Sequence, residues 1–281
     1  MAADPTSRMA PMARRFVPLE SPQTGALRLI QAVGLETNAP RIGVLPTVLI
    51  IAGAIMWMLA YIWGGWIGFT EKTFTFPMIA IALNITWEFF FGFVEPPDPP
   101  FSWIRRLWFV LNLVILITAL LYGRNFVDEK WILENFVLFW VALILLCYFG
   151  QVIAHRHFIA NLILNDCNGV TVALLMNVAM SGLFVGFYHD RIDGYGGTGL
   201  SFVVGWFKLL GTGLVGLGSV LLFLAVRRCV LDVTIAPAAG APCPPNGPDG
   251  GRVRLIDFLW FYMFLYAAIL VLDVAYLWLL Y

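Results

Sequence analysis

From Leu45 onward the chain alternates long apolar stretches with short polar breaks. The stretches run about 18–25 residues, the length needed to cross a hydrocarbon core of ~30 Å at ~1.5 Å per residue. The pattern therefore predicts seven transmembrane helices, over about 45–67, 77–94, 103–122, 131–150, 169–188, 201–226 and 256–280. Barrel strands are excluded, since they would need only about 9–11 residues with strict polar–apolar alternation. The predicted fold is all-α, a polytopic membrane protein with its transmembrane domain at 45–281 and a tail at 1–44. Within the tail, apolar positions at near-helical spacing from Ala26 to Leu35, after a Thr24 cap, suit a short helix at the membrane surface; a disordered tail is the alternative. Between the sixth and seventh spans, 231–255 reads as a flexible Pro/Gly linker.

Composition agrees with the pattern. Hydrophobic residues make up 60% and charged ones 12%, against about 25% charged in soluble domains, and mean hydropathy is +0.84. Formal net charge is zero, so nothing argues for a nucleic-acid partner; membrane lipid is the expected surrounding. The tail (Arg8, Arg14, Arg15, Arg28, Arg41) and the loops holding Arg105, Arg106, Arg156, Arg227, Arg228, Arg252 and Arg254 carry most of the positive charge. That asymmetry predicts a cytoplasmic N-terminus and, after seven crossings, a C-terminus on the far side. The tail has no apolar run of signal-peptide length. Cys147, Cys167, Cys229 and Cys243 have no C-x-x-C spacing, so neither a zinc site nor a disulfide framework is expected.

Two carboxylates sit deep in apolar helices. Glu88 shares a stripe with Asn84, Trp87 and Phe91 at i−4, i−1 and i+3, and a stripe bearing an amide, an indole N–H and a carboxyl must face the bundle interior. Asp273 lies on a second stripe with Tyr262, Tyr266, Ile269 and Tyr276. Asn177, Ser181, Phe184 and Tyr188 form a third face, and Trp140, Cys147 and Gln151 a weaker one, with Asn112 placed among them. Amides and hydroxyls at such positions serve as interhelical glue at about 0.6 kcal/mol each. Glue does not need an ionisable group, so Glu88 and Asp273 read as functional. Glu95 and Asp98, in the proline-rich break, read as loop charges that are solvated or paired with Arg105 and Arg106. His155-Arg156-His157 reads as a solvated or headgroup-binding patch.

Deep carboxyls among aromatic rings suit acid–base chemistry on an apolar molecule. A buried carboxyl favours its protonated form and can donate a proton, while ring faces stabilise a developing carbocation. No Asp-Asp pair is present, and Asn161 to Asn165 does not complete an Asn-x-x-x-Asp pattern, so magnesium-assisted ionisation of a diphosphate is not expected. Seven spans, the Trp87-Glu88 pair and Asp273 in the last span together resemble the small integral-membrane terpene cyclases of meroterpenoid and indole-terpenoid pathways, over 45–281. The resemblance implies protonation of a terminal epoxide or olefin on a prenylated aromatic, indole or other polyprenyl substrate, with no metal or organic cofactor. It also implies Glu88 and Asp273 as the residues of protonation. Asn84, Trp87, Phe91, Asn177, Tyr262, Tyr266 and Tyr276 are then the expected substrate-facing set. A retinal photoreceptor is disfavoured, because the seventh span has no lysine. The competing reading is a proton-coupled transporter or a non-catalytic heptahelical ligand-binding protein.

Overall fold

The computed structural model describes the backbone of residues 44–97, 99–159, 169–235 and 250–281, and the side chains of 44–97, 99–157, 169–221 and 260–281. Regular structure there is all helical: α1 Val44–Thr70, α2 Met78–Phe89, α3 Phe101–Tyr122, α4 Phe136–Ile153, α5 Val170–Tyr195, α6 Phe202–Ile235 and α7 Gly250–Leu280, with a one-turn helix Lys130–Glu134 before α4. Six of these helices are long and apolar enough to cross a bilayer; Met78–Val94 is a shorter apolar helix. Both α6 and α7 run into the predicted linker, to Ile235 and from Gly250. α5 continues past its apolar run to Tyr195 and stops where Gly196 takes φ +60°, a conformation that ends a helix at little steric cost in glycine. The surface helix expected in the tail, with Cys167 and Cys243, falls outside the described residues.

Outward-facing positions are apolar, among them Leu138, Leu146, Phe264 and Val271, as a helix surrounded by acyl chains requires. Trp278 and Tyr281 are exposed at the end of α7, consistent with interfacial anchoring, and Trp66 and Trp131 are exposed at the same end of the bundle.

α1 and α6 pack antiparallel through small residues. A Cβ at Gly53 would lie 2.6 Å from the Gly211 carbonyl oxygen, so the two backbones meet at a distance only glycine allows. α7 covers the next stretch of α6, with the Tyr266 ring lying on Gly216 and Tyr276 beside Gly205. The sixth-helix glycines thus act as packing sites, as their sequence pattern predicts.

The α1–α2 connection turns inward. Thr73, Phe74, Thr75 and Phe76 are all buried, because Arg191 reaches in from α5 to hold them. Its guanidinium donates to Thr73 Oγ1 at 3.0 Å, the Phe74 carbonyl at 3.3 Å and the Thr198 carbonyl at 3.3 Å, and lies over the Phe74 and Phe126 rings at 4.2 and 3.9 Å. Arg191→Met would leave buried carbonyls without donors at about 1–3 kcal/mol per group. The expected result is a lower thermal midpoint of the detergent-solubilised protein and faster proteolytic nicking at 71–77. An unchanged midpoint would mean that this loop is held by packing alone.

Candidate active site

Glu88 lies on α2, 10 residues in from Met78, and is 1% exposed. The Asn84, Trp87, Glu88 and Phe91 stripe is buried in full, so it faces the interior as its polarity demands. Immediately after Glu88 the helix widens into a π turn, Phe90–Val94, closed by Glu95 N–H donating to the Phe90 carbonyl at 2.8 Å. Such turns recur where helices are adapted to function. Here the turn ends against Pro96-Pro97, where the missing amide donors stop the helix.

Two neutral donors hold the Glu88 carboxyl. Tyr61 O–H of α1 donates to Oε1 at 2.9 Å, and Asn112 Nδ2–H of α3 donates to Oε2 at 3.0 Å. Among the described residues no Lys, Arg or His forms an ion pair with Glu88. Asn112 is fully buried and its Oδ1 has no hydrogen-bond partner. One amide flip would turn that oxygen toward Glu88, so Asn112 can serve a carboxylate with N–H or a carboxylic acid with C=O. Tyr61 is a site residue that the sequence reading passed over. It belongs to a buried Trp57, Tyr61, Gly64, Gly68 stripe at helical spacing, a signal present in the sequence.

Trp87 and Phe91 of this stripe have structural partners. Trp87 Nε1–H donates to the Gly169 carbonyl at 3.2 Å, and the Phe91 ring fills the space a side chain at Gly169 would take. Arg105 lies over both rings, 4.7 Å from Trp87 and 5.4 Å from Phe91. Asn84 is buried with its amide nitrogen unpartnered, one turn from Glu88.

Asp273 occupies a separate place. Lys208 Nζ of α6 donates to its Oδ1 and to Ser181 Oγ of α5, the latter at 2.6 Å. Lysine and aspartate are both buried, and Asp273 Oδ2 has no partner. Lys208 falls within the stretch 201–226, and packing brings it to face Asp273. Tyr276 flanks this pair and meets Phe184 at 5.2 Å between ring centroids. Asn177 lies one turn from Ser181, with Nδ2 on the Ala173 carbonyl and Oδ1 unpartnered. The two acids share no hydrogen bond. An aromatic row joins them instead: Tyr61 to Phe76 at 5.8 Å, Phe76 to Phe184 at 5.4 Å, and Phe184 beneath Lys208 Nζ at 5.4 Å.

Tyr262 and Tyr266 lie further along α7, away from Asp273. Tyr262 O–H pairs with Thr171 Oγ1 at the start of α5, and Tyr266 packs on Gly216. The expected seventh-helix chamber thus divides, with Tyr276 beside the acid and the other two phenols toward the opposite end.

Two readings of the break after α2 are corrected. Glu95 pairs with Arg156, at 2.5 Å from Nη2, and lies 3.4 Å from His155 Nε2, rather than being solvated or pairing with Arg105 or Arg106; Asp98 lies outside the described residues. Arg105 instead lies over Trp87 and Phe91, and Arg106 donates to the Gly92 carbonyl at 2.8 Å. His155 is buried against Phe90 and Phe91, not a solvated patch residue, because α4 also ends in a π turn, Ala154–Ile159, that packs on the one after Glu88.

On its lateral side the bundle has an apolar groove of about 380 Å³ lined by Leu83, Cys147, Gln151, Val172 and Met176. Gln151 Nε2–H crosses beside it to the Leu83 carbonyl at 2.8 Å.

Comparison with known proteins covers this same region. The sequence pattern of the Pyr4-like transmembrane terpene cyclases matches residues 37–221, which include Glu88, Tyr61, Asn112 and Lys208 but stop short of Asp273. Asnovolin H synthase nvfL of Aspergillus novofumigatus is 35% identical over 73 residues, 26% of this chain and 30% of its own length. Terpene cyclase andB of Emericella variicolor is 32% identical over 78 residues, 26% of this chain and 32% of its own. The Pyr4-family terpene cyclase mfmH of Annulohypoxylon moriforme is 31% identical over 83 residues, 30% of this chain and 33% of its own. The chain thus spans about a third of the length of these curated relatives. No solved structure gives a significant match. With the family pattern across more than half of its length and six bilayer-length apolar helices, this chain is a multi-pass integral membrane protein that belongs to the Pyr4-like transmembrane terpene cyclase family.

Proposed function

We propose that the protein is a membrane-embedded terpene cyclase in which Glu88, as a carboxylic acid, protonates the terminal epoxide or olefin of a prenylated aromatic, indole or other polyprenyl substrate. The observation that carries this reading is the setting of Glu88: buried on α2 just before its π turn, held through both oxygens by the neutral Tyr61 and Asn112, with no ion-pair partner among the described residues. A carboxyl meant to give up a proton gains from neutral partners that serve it in both protonation states.

Protonation opens the epoxide or olefin to a carbocation, and successive double bonds attack it to close rings. The row of rings from Tyr61 through Phe76 to Phe184 offers π faces to the migrating charge, at about 0.5–2 kcal/mol for each contact. Asn84 and Asn177, each with an unpartnered buried amide atom, are the candidates for the substrate's polar end. Trp87 and Phe91 shape the wall from behind, and Tyr276 stands beside Asp273. The lateral groove between α2, α4 and α5 suits entry of an apolar chain from the bilayer. A cytoplasmic N-terminus, from the arginine asymmetry, completes the proposed topology.

The test is chemical. Membranes containing the protein, incubated with a farnesylated aromatic epoxide, are expected to yield a cyclised isomer of the same mass, and chelation with EDTA is expected to leave the rate unchanged. Recovery of unaltered substrate under every condition would favour the transporter reading. A rate abolished by EDTA and restored by magnesium would overturn the metal-free mechanism.

A further inference from the structure

Each of the two deep acids keeps different company. Glu88 is held by a phenol and an amide, whereas Asp273 is held by an ammonium group. Lys208 is 1% and Asp273 2% exposed, so the pair sits in the bundle interior. A buried ion pair is poor evidence for stability, since well-packed apolar residues of similar volume generally do as well or better. Its presence in an apolar bundle therefore points to function. Lysine uses only one carboxylate oxygen. Oδ2 is left buried and without a partner, in a pair whose lysine lies over the Phe184 ring that ends the aromatic row from Tyr61. Two carboxyls set in contrasting environments take opposite proton roles.

We propose that Lys208 is a positioning residue that holds the Asp273 carboxylate by Oδ1 and leaves its Oδ2 free to accept the proton that ends cyclisation, so that Glu88 gives the first proton and Asp273 takes the last. This rests on the proton-initiated reading of Glu88. In the closing step the C–H bond next to the final carbocation breaks, its electron pair becomes the new double bond, and the proton passes to Asp273 Oδ2. Between turnovers Asp273 releases that proton to water and Glu88 regains one, so the net reaction is an isomerisation. The groups facing Asp273 are Lys208 from α6, Ser181 from α5 and Tyr276 from its own helix. Ser181 receives a second N–H from Lys208, which fixes the direction of the ammonium group.

The experiment compares products, because a merely structural role would lower yield without changing what is made. If Asp273 is the closing base, Lys208→Met leaves the final cation to be captured by water. The hydrated product, one water heavier than the substrate, should then rise at the expense of the deprotonated isomer, whose share falls by at least ~10-fold. Lys208→Arg keeps the charge and should restore the isomer as the main product. Should Lys208→Met fail to fold, the double variant Lys208→Met/Asp273→Asn removes both charges together and leaves none unpaired. It should still consume substrate, with hydrated product dominant. A wild-type product ratio in the double variant, or the same ratio in Lys208→Arg as in Lys208→Met, would overturn the proposal. Glu88→Gln run alongside separates the two readings: substrate consumption undiminished there would sink the proton-donor role of Glu88, whereas its loss with an unchanged product ratio in the Lys208 series would sink only the present one.

Discussion

Glu88→Gln is expected to lower the rate of ring closure by about 10²–10⁴-fold, the usual contribution of a positioned general acid, with little change in the amount of folded protein. The substitution is nearly isosteric. Tyr61 can still donate to the remaining carbonyl oxygen at the Oε1 position, and Asn112 can turn its unpartnered Oδ1 toward the new amide. The flip exchanges one unpartnered buried amide atom of Asn112 for the other and keeps the groups facing residue 88 matched, so the fold is expected to hold. What is lost is a dissociable proton within the aromatic interior, which an amide cannot supply. The measurement is the initial rate of cyclised product from membranes carrying equal amounts of each protein, with thermal midpoints recorded in parallel. A rate within threefold of wild type would remove Glu88 from the chemistry.

Gly169→Val is expected to be the most destabilising single change near the site. Gly169 takes φ +62°, and a Cβ there would fall 2.2 Å from the Phe91 ring. A β-branched residue in the left-handed region costs about 1–2 kcal/mol, and the forced movement of a packed ring adds about 1–3 kcal/mol. The same carbonyl that anchors Trp87 Nε1–H would be displaced, so the wall behind Glu88 loosens with it. The expected result is a fall of roughly 2–5 kcal/mol in stability, seen as a lower thermal midpoint in detergent. Shrinking the ring in Phe91→Leu alongside Gly169→Ala should recover the packing part of the loss and not the backbone part. A midpoint for Gly169→Val equal to wild type would show that neither contact is tight.

Much of the protein could be read along the chain. Apolar run lengths determined the class and the approximate places of the helices, because a bilayer imposes length and polarity on each span separately. The α2 stripe was equally plain, since the 3–4 spacing of Asn84, Trp87, Glu88 and Phe91 puts three polar groups on one face and only the interior can take them. Helix ends were less legible. α5 runs on to Tyr195 because Arg191, polar and apparently a loop residue, finds its partners in Thr73, Phe74 and Thr198, which are 118, 117 and 7 residues away.

Which acid does what could not come from periodicity. A helical period says which residues share a face, and nothing about which face of another helix meets it. Tyr61, Asn112 and Glu88 come from α1, α3 and α2, and Lys208, Ser181 and Asp273 from α6, α5 and α7. Along the chain Glu88 and Asp273 are alike, each a carboxyl deep within an apolar stretch. Only the packing of the bundle gives one a phenol and an amide and the other an ammonium. The energy of a buried carboxyl is set by those immediate partners, so it was the tertiary structure that made the two acids different.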